Sequence, residues 1–100
     1  MLDIQKNIEG EKAVLTLSGR IDSNTARDLE REVKAALDGV TDFTLDMEKI
    51  EYISSAGLRV LLAAQKQMNK QGKMTIRNVK PEIMEIFEVT GFVDILNIEE

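Results

Sequence analysis

Two adjacent serines, Ser54 and Ser55, form the group of residues best suited to chemistry in this chain. They follow an alternating apolar segment that predicts a strand, and they precede an apolar stripe typical of a helix. They therefore stand at a predicted helix start, where a Ser hydroxyl can accept a free backbone N–H. The positive end of the helix dipole also lies there, so the position would tolerate an anion, including a phosphate carried by one of the serines.

The serine pair by itself leaves two interpretations open. Ser is a preferred N-cap in any helix, so the residues by themselves favour a purely structural cap over a phosphorylation site. The glycine that follows, Gly57, belongs to neither a Walker loop nor a dinucleotide-binding fingerprint. The sequence therefore predicts no nucleotide cofactor.

The composition removes most catalytic chemistry, because the chain has no Cys and no His. A hydrolase with Ser55 as nucleophile would need a Lys as its base, and no strong Ser–Lys spacing is present. The acidic residues Asp46, Glu48 and Glu51 could suggest a metal site. A solvated edge explains them better, because calcium needs six to eight oxygens, usually supplied by a glycine-bearing loop. We predict neither a metal site nor an enzyme.

The charge balance argues against a nucleic-acid partner, because 13 Lys and Arg against 18 Asp and Glu give a net charge of −5. No apolar run approaches the roughly 20 residues of a membrane span, and the N-terminus lacks the apolar region of a signal peptide. We expect a cytoplasmic protein that does not bind membranes. With 100 residues, no linker and no heptad pattern, we expect one domain over residues 1–100 and a monomer in solution.

The apolar periodicity predicts an α/β fold with the element order ββαβαβα. The first two strands should form an antiparallel hairpin, and the later strands should be parallel because single helices separate them. Asp22, Ser23 or Asn24 could cap the first helix. The predicted strands cover residues 2–8, 13–17, 43–47 and 74–76. The second helix should end near Gly72, and the third should run from Pro81 to Gly91. Residues 93–98 are either a last strand or a short terminal segment.

Residues 52–62, which read Tyr-Ile-Ser-Ser-Ala-Gly-Leu-Arg-Val-Leu-Leu, resemble the phosphorylation motif of STAS domains. The resemblance is closer to the single-domain bacterial anti-sigma factor antagonists, whose motif usually reads aromatic-apolar-Asp-Ser-Ser/Thr-Gly-Leu. Ser55 corresponds to the phosphorylated Ser of that family, and Gly57 to its Gly. Ser54 stands where the family has Asp, and Ala56 stands where it has a second Ser or Thr.

Two further segments carry the same resemblance in the same order. Residues 19–22 are similar to the family's Gly-Glu-Leu/Ile-Asp turn, and residues 87–92 are similar to its Leu-Phe-x-x-Thr/Ser-Gly-Leu segment. The resemblance implies a STAS-like mixed sheet of four to five strands with about three helices.

The resemblance also implies a partner switch. The unmodified protein would bind an anti-sigma factor that is a Ser kinase, and this binding would release a sigma factor. Phosphorylation of Ser55, or less favourably of Ser54, would end the binding, and a PP2C-type phosphatase would restore the Ser.

The expected partner surface combines the motif with the turn before the first helix. Asp22 either contacts the partner or caps the first helix. Arg59 either binds a partner or a phosphate, or it is an ordinary solvated arginine. Leu58 is either a core residue or an exposed anchor for the partner. A second function stays open because Ser54 lacks the family's carboxylate: an unphosphorylated scaffold in a larger complex or transporter. The predicted surface consists of Asp22, Ser23, Ser54, Ser55, Ala56, Gly57, Leu58 and Arg59.

Overall fold

The computed structural model describes residues 1–99 and shows a four-stranded mixed sheet with three α-helices. The strands lie side by side in chain order, the first pair antiparallel and the others parallel. This confirms the predicted α/β architecture, with four strands of the four or five expected. The elements are β1 (Leu2–Glu9), β2 (Lys12–Ile21), α1 (Thr25–Ala36), β3 (Asp42–Ile53), α2 (Ser55–Gln71), β4 (Lys73–Arg77) and α3 (Pro81–Thr90).

The core is one cluster of apolar side chains between the helices and the sheet. Alternate residues of the central strands are fully buried, such as Leu15 and Leu17 in β2 and Phe43 and Leu45 in β3. The period of two in the sequence therefore places one face of each strand under the helices. No helix within residues 1–99 has both the length and the apolar character that a membrane crossing would need.

β2 is longer than the sequence pattern predicted. Its expected end at Leu17 was wrong, because the strand continues to Ile21. The pairing of β2 with β3 shifts twice, between Thr16 and Ser18 and again between Gly19 and Arg20, and each shift gives β3 one extra residue. These bulges interrupt the alternation of β3, whose expected end at Met47 was also wrong because the strand continues to Ile53. They bring Ile21 and Ile53 into register as buried partners.

The C-terminal part follows the sequence signals for α3. Pro81 occupies the first turn, and Gly91 ends the helix in the left-handed conformation at φ 82°. Residues 93–98 form no further strand: a short 3₁₀ helix covers Phe92–Asp94, and Ile98 makes a single parallel bridge to Ile76. Of the two alternatives for this segment, the short terminal one is confirmed.

Candidate functional site

The site lies where the parallel strands β2 and β3 end. Ile21 and Ile53 are paired, and the Ser54 N–H donates to the Ile21 carbonyl at 2.8 Å. Asp22 and Ser54 therefore follow neighbouring parallel strands at the same end of the sheet.

Ser54 and Ser55 have different environments although they are adjacent. Ser54 has an extended backbone (φ −89°, ψ 172°) and is the N-cap of α2, where its Oγ accepts the Gly57 N–H at 3.2 Å. Ser55 is the first helical residue and is exposed. No side-chain hydrogen bond described for residues 1–99 involves its hydroxyl. The Ser54 oxygen is thus engaged in the fold, and the Ser55 oxygen is presented to solvent.

Gly57 fixes the start of α2 against the two strand ends. A Cβ at this position would lie 2.5 Å from Cγ2 of Ile21 and 2.8 Å from Cγ1 of Ile53. Real Cβ atoms do not approach carbon this closely, so only a glycine lets the helix pack here without displacement. Gly57 and its neighbour Leu58, which is 7% exposed, are buried. The alternative of an exposed anchor at Leu58 was therefore wrong, because its side chain belongs to the core.

Asp22 caps α1 through its side chain. Its carboxylate accepts the N–H of Thr25 at 2.9 Å and the N–H of Asn24 at 3.0 Å, and the Thr25 hydroxyl donates to it at 3.2 Å. These bonds, first of all the one from the Thr25 backbone, hold the pKa of Asp22 below its ordinary value. Asn24 stands at the cap position but makes no side-chain cap bond. Of the three candidates for the cap, the carboxylate of Asp22 fills the role.

A shallow cleft of about 360 Å³ lies between the first turns of α1 and α2, and its lining includes Ala56, the residue that follows Ser55. Arg27 and Arg59 are exposed and approach it from opposite helices. Arg27 was missed from the sequence, because its place in a mixed-charge helix surface gives no sign of which helix it faces. We call this feature the α1–α2 cleft; its lining includes Ser23, Ala26, Arg27, Glu30, Ala56 and Arg59.

A further cation lies at this end of the sheet. The guanidinium of Arg20, near the end of β2, sits 4.6 Å from the ring centroid of Tyr52 in β3. The stacking follows from the second bulge, which places these two residues opposite each other. Arg20 thereby adds positive charge near the turn that carries Asp22.

The acidic residues of β3 do not assemble a metal site. Asp46 makes an ion pair with Arg77 at 3.3 Å and accepts a hydrogen bond from Asn78 at 3.1 Å. Within residues 1–99, no group of three or more acidic residues is placed to hold a metal ion.

The comparisons with known proteins agree with this geometry. Residues 4–97 match the family model described as "Mlab, STAS domain". The chain belongs to the STAS-domain family. It is 40% identical over 84 residues to BtrV of Bordetella bronchiseptica, which is provisionally named an anti-sigma factor antagonist, and this match covers 82% of the chain and 72% of BtrV.

Solved STAS structures share the fold at lower sequence identity. An anti-sigma factor antagonist from Mycobacterium paratuberculosis is 22% identical, has a TM-score of 0.88, and aligns with 98% of this chain and 85% of its own. The antagonist SpoIIAA in its unphosphorylated form is 17% identical with a TM-score of 0.76, covering 98% of this chain and 88% of its own. The phosphorylated form of Bacillus SpoIIAA is 18% identical with a TM-score of 0.75, covering 98% and 92%.

Proposed function

We propose that this STAS domain is an anti-sigma factor antagonist that is switched by phosphorylation of Ser55. In its unmodified form it binds an anti-sigma factor that is a Ser kinase and so releases a sigma factor. Phosphorylation ends this binding, and a PP2C-type phosphatase removes the phosphate again. The observation that carries the proposal is the exposed Ser55 hydroxyl at the start of α2, next to a serine whose own hydroxyl is used as the helix cap.

The partner kinase would catalyse the phosphorylation of Ser55. The bond between the γ-phosphorus of ATP and its bridging oxygen breaks, a bond from that phosphorus to Ser55 Oγ forms, and ADP and the hydroxyl proton are released. Hydrolysis by the phosphatase would return Ser55 and inorganic phosphate. ATP as phosphate donor places this exchange in the cytoplasm, and we propose that compartment for the protein.

The protein itself acts by binding rather than by catalysis. A serine nucleophile needs a neighbouring base, the chain has no His, and none of the side-chain hydrogen bonds described for residues 1–99 reaches Ser55. This supports a substrate role for Ser55 over a catalytic one.

Two departures from the family motif are compatible with this function. Ser54 replaces an Asp, and both residue types serve as N-caps, so the cap is kept while one negative charge is lost. Ala56 replaces a Ser or Thr and is half-buried at the α1–α2 cleft, and its lack of a hydroxyl leaves Ser55 as the exposed serine of the motif.

Charge explains how such a switch would work. A phosphate adds about −1.5 to −2 charges at neutral pH. At the exposed start of a helix this charge need not disturb the fold. It weakens the complex instead, because docking would remove water from the phosphate and bring it against the partner surface. The exposed residues Ser23 and Arg59, with the half-buried Asp22, Ser54 and Ala56, would surround the hydroxyl in that interface.

The test is to incubate the purified protein with candidate anti-sigma kinases of its own genome and ATP, and to map any phosphate by mass spectrometry. We expect one phosphate on Ser55, no phosphate on the variant Ser55→Ala, and a phosphate that still maps to Ser55 in the variant Ser54→Ala. Phosphate on Ser54 would contradict the assignment. Stable binding with no modification by any kinase would favour the scaffold function, which the loss of the family's carboxylate at position 54 keeps open.

A further inference from the structure

Arg20, Arg27 and Arg59 have no carboxylate partner among residues 1–99, and of these Arg20 is stacked on Tyr52. Arg31 pairs with Asp28 at 2.8 Å, and Arg77 pairs with Asp46 at 3.3 Å. Among residues 1–99, neither Arg27 nor Arg59 makes an ion pair, and both line the α1–α2 cleft, which also includes Ala56, the neighbour of Ser55 in the chain. The chain has a net charge of −5, so the unpaired guanidinium groups of Arg27 and Arg59 on one small cleft form a local concentration of positive charge.

Helical geometry places Arg59 next to Ser55. The two residues are four apart in α2, so their side chains share one face of the helix with Cβ atoms about 5–6 Å apart. An anion at Ser55 would be the N-terminal member of the pair, which is the favourable orientation of an ion pair on a helix. The planar guanidinium of Arg59 could then give two parallel hydrogen bonds to phosphate oxygens.

Neither of the nearby carboxylates, Asp22 and Glu30, makes an ion pair with Arg27 or Arg59 among residues 1–99. The Asp22 carboxylate is occupied by two backbone N–H groups and the Thr25 hydroxyl. Glu30, which also lines the cleft, lies 3.9 Å from Lys34 on its own helix. Arg20 is stacked on Tyr52 and adds positive charge at the same end of the sheet.

We propose that a phosphate on Ser55 is bound within the molecule by the guanidinium of Arg59, with Arg27 contributing from across the α1–α2 cleft. This inference rests on the proposed phosphorylation of Ser55. It gives the modified form a second difference from the unmodified one: besides the added charge, two arginines that faced solvent and any partner become engaged with the phosphate.

The experiment places phosphoserine at position 55 during synthesis of the full chain, so that no kinase is needed. The second pKa of the phosphate, ordinarily about 6, is measured by ³¹P NMR titration. We expect Arg59→Gln to raise this pKa by about 0.2–0.4, the effect of losing one ion pair between residues four apart on a helix. Arg27→Gln should raise it by a smaller amount, and Arg59→Lys should retain most of the lowering.

Two controls separate ion pairing from a structural effect. Arg31→Gln removes an exposed arginine of α1 that already pairs with Asp28, and it should leave the phosphate pKa unchanged. At about 1 M salt, where the screening length is about 3 Å, the difference between the wild type and Arg59→Gln should shrink. Equal pKa values in the wild type and Arg59→Gln at low salt would overturn the inference. Because the phosphate is introduced synthetically, that result would leave the kinase assignment of Ser55 untouched.

Discussion

At the scale of single residues, Ser54 and Ser55 have different roles, because Ser54 caps α2 and Ser55 is exposed. The sequence predicted that the serines stand at a helix start, and the structure agrees. It could not show which of the two is the cap, because either hydroxyl satisfies the same backbone donor when the start of the helix moves by one residue. The extended backbone of Ser54 and its bond to the Gly57 N–H decide the matter.

This difference predicts that the two serines respond differently to substitution. Ser54→Ala removes the α2 cap and should lower the free energy of unfolding by about 0.5–2 kcal/mol. Ser55→Ala removes an exposed hydroxyl with no hydrogen-bond partner among residues 1–99 and should change it by less than about 0.5 kcal/mol. Urea denaturation followed by circular dichroism measures both. Equal losses in the two variants would show that Ser55 also holds the fold together.

At the scale of elements, the site depends on how β2, β3 and α2 meet. The sequence indicated each element from its apolar period, but it did not extend β2 beyond Leu17. β2 keeps its period of two to Ile21, but its inward position after Leu17 is a glycine, Gly19, which gives no apolar signal. In β3 the two bulges add two residues, so that buried positions fall at every third residue after Met47. The sequence also could not predict the contact of Gly57 with Ile21 and Ile53, because this contact depends on the pairing of the two isoleucines after the second bulge.

Gly57→Ala should therefore destabilise the protein although alanine favours a helix. The added methyl would overlap Ile21 and Ile53, a type of overpacking that costs about 1–3 kcal/mol, while the gain in helix propensity is only about 0.5–1 kcal/mol. Thermal and urea unfolding should show a net loss. The matched control is the same substitution in an Ile21→Ala background, where the cost should be smaller because the nearest side chain has been shortened. An identical cost in both backgrounds would place the strain elsewhere.

At the scale of the whole molecule, we expect the proposed phosphorylation to change binding without changing the fold. The sequence predicted the mixed sheet and its helices because the periods of the apolar residues are long and regular. It could not place Arg27 beside Arg59, because their proximity arises only when α1 and α2 pack over the same sheet. The chain resembles the unphosphorylated and the phosphorylated structures of SpoIIAA equally well, with TM-scores of 0.76 and 0.75. Because Ser55 is exposed at the start of α2, we expect a phosphate there to change binding rather than the fold.

The central measurement is the affinity of the cognate anti-sigma kinase, without ATP, for the unmodified protein and for the protein carrying phosphoserine at position 55. Isothermal titration calorimetry should show at least a tenfold weaker binding of the phosphorylated form, which corresponds to about 1.4 kcal/mol. Circular dichroism should show the same fold for both forms, and Ser55→Ala should bind about as well as the unmodified protein. Equal affinities of the two forms, or unfolding of the phosphorylated one, would contradict the account.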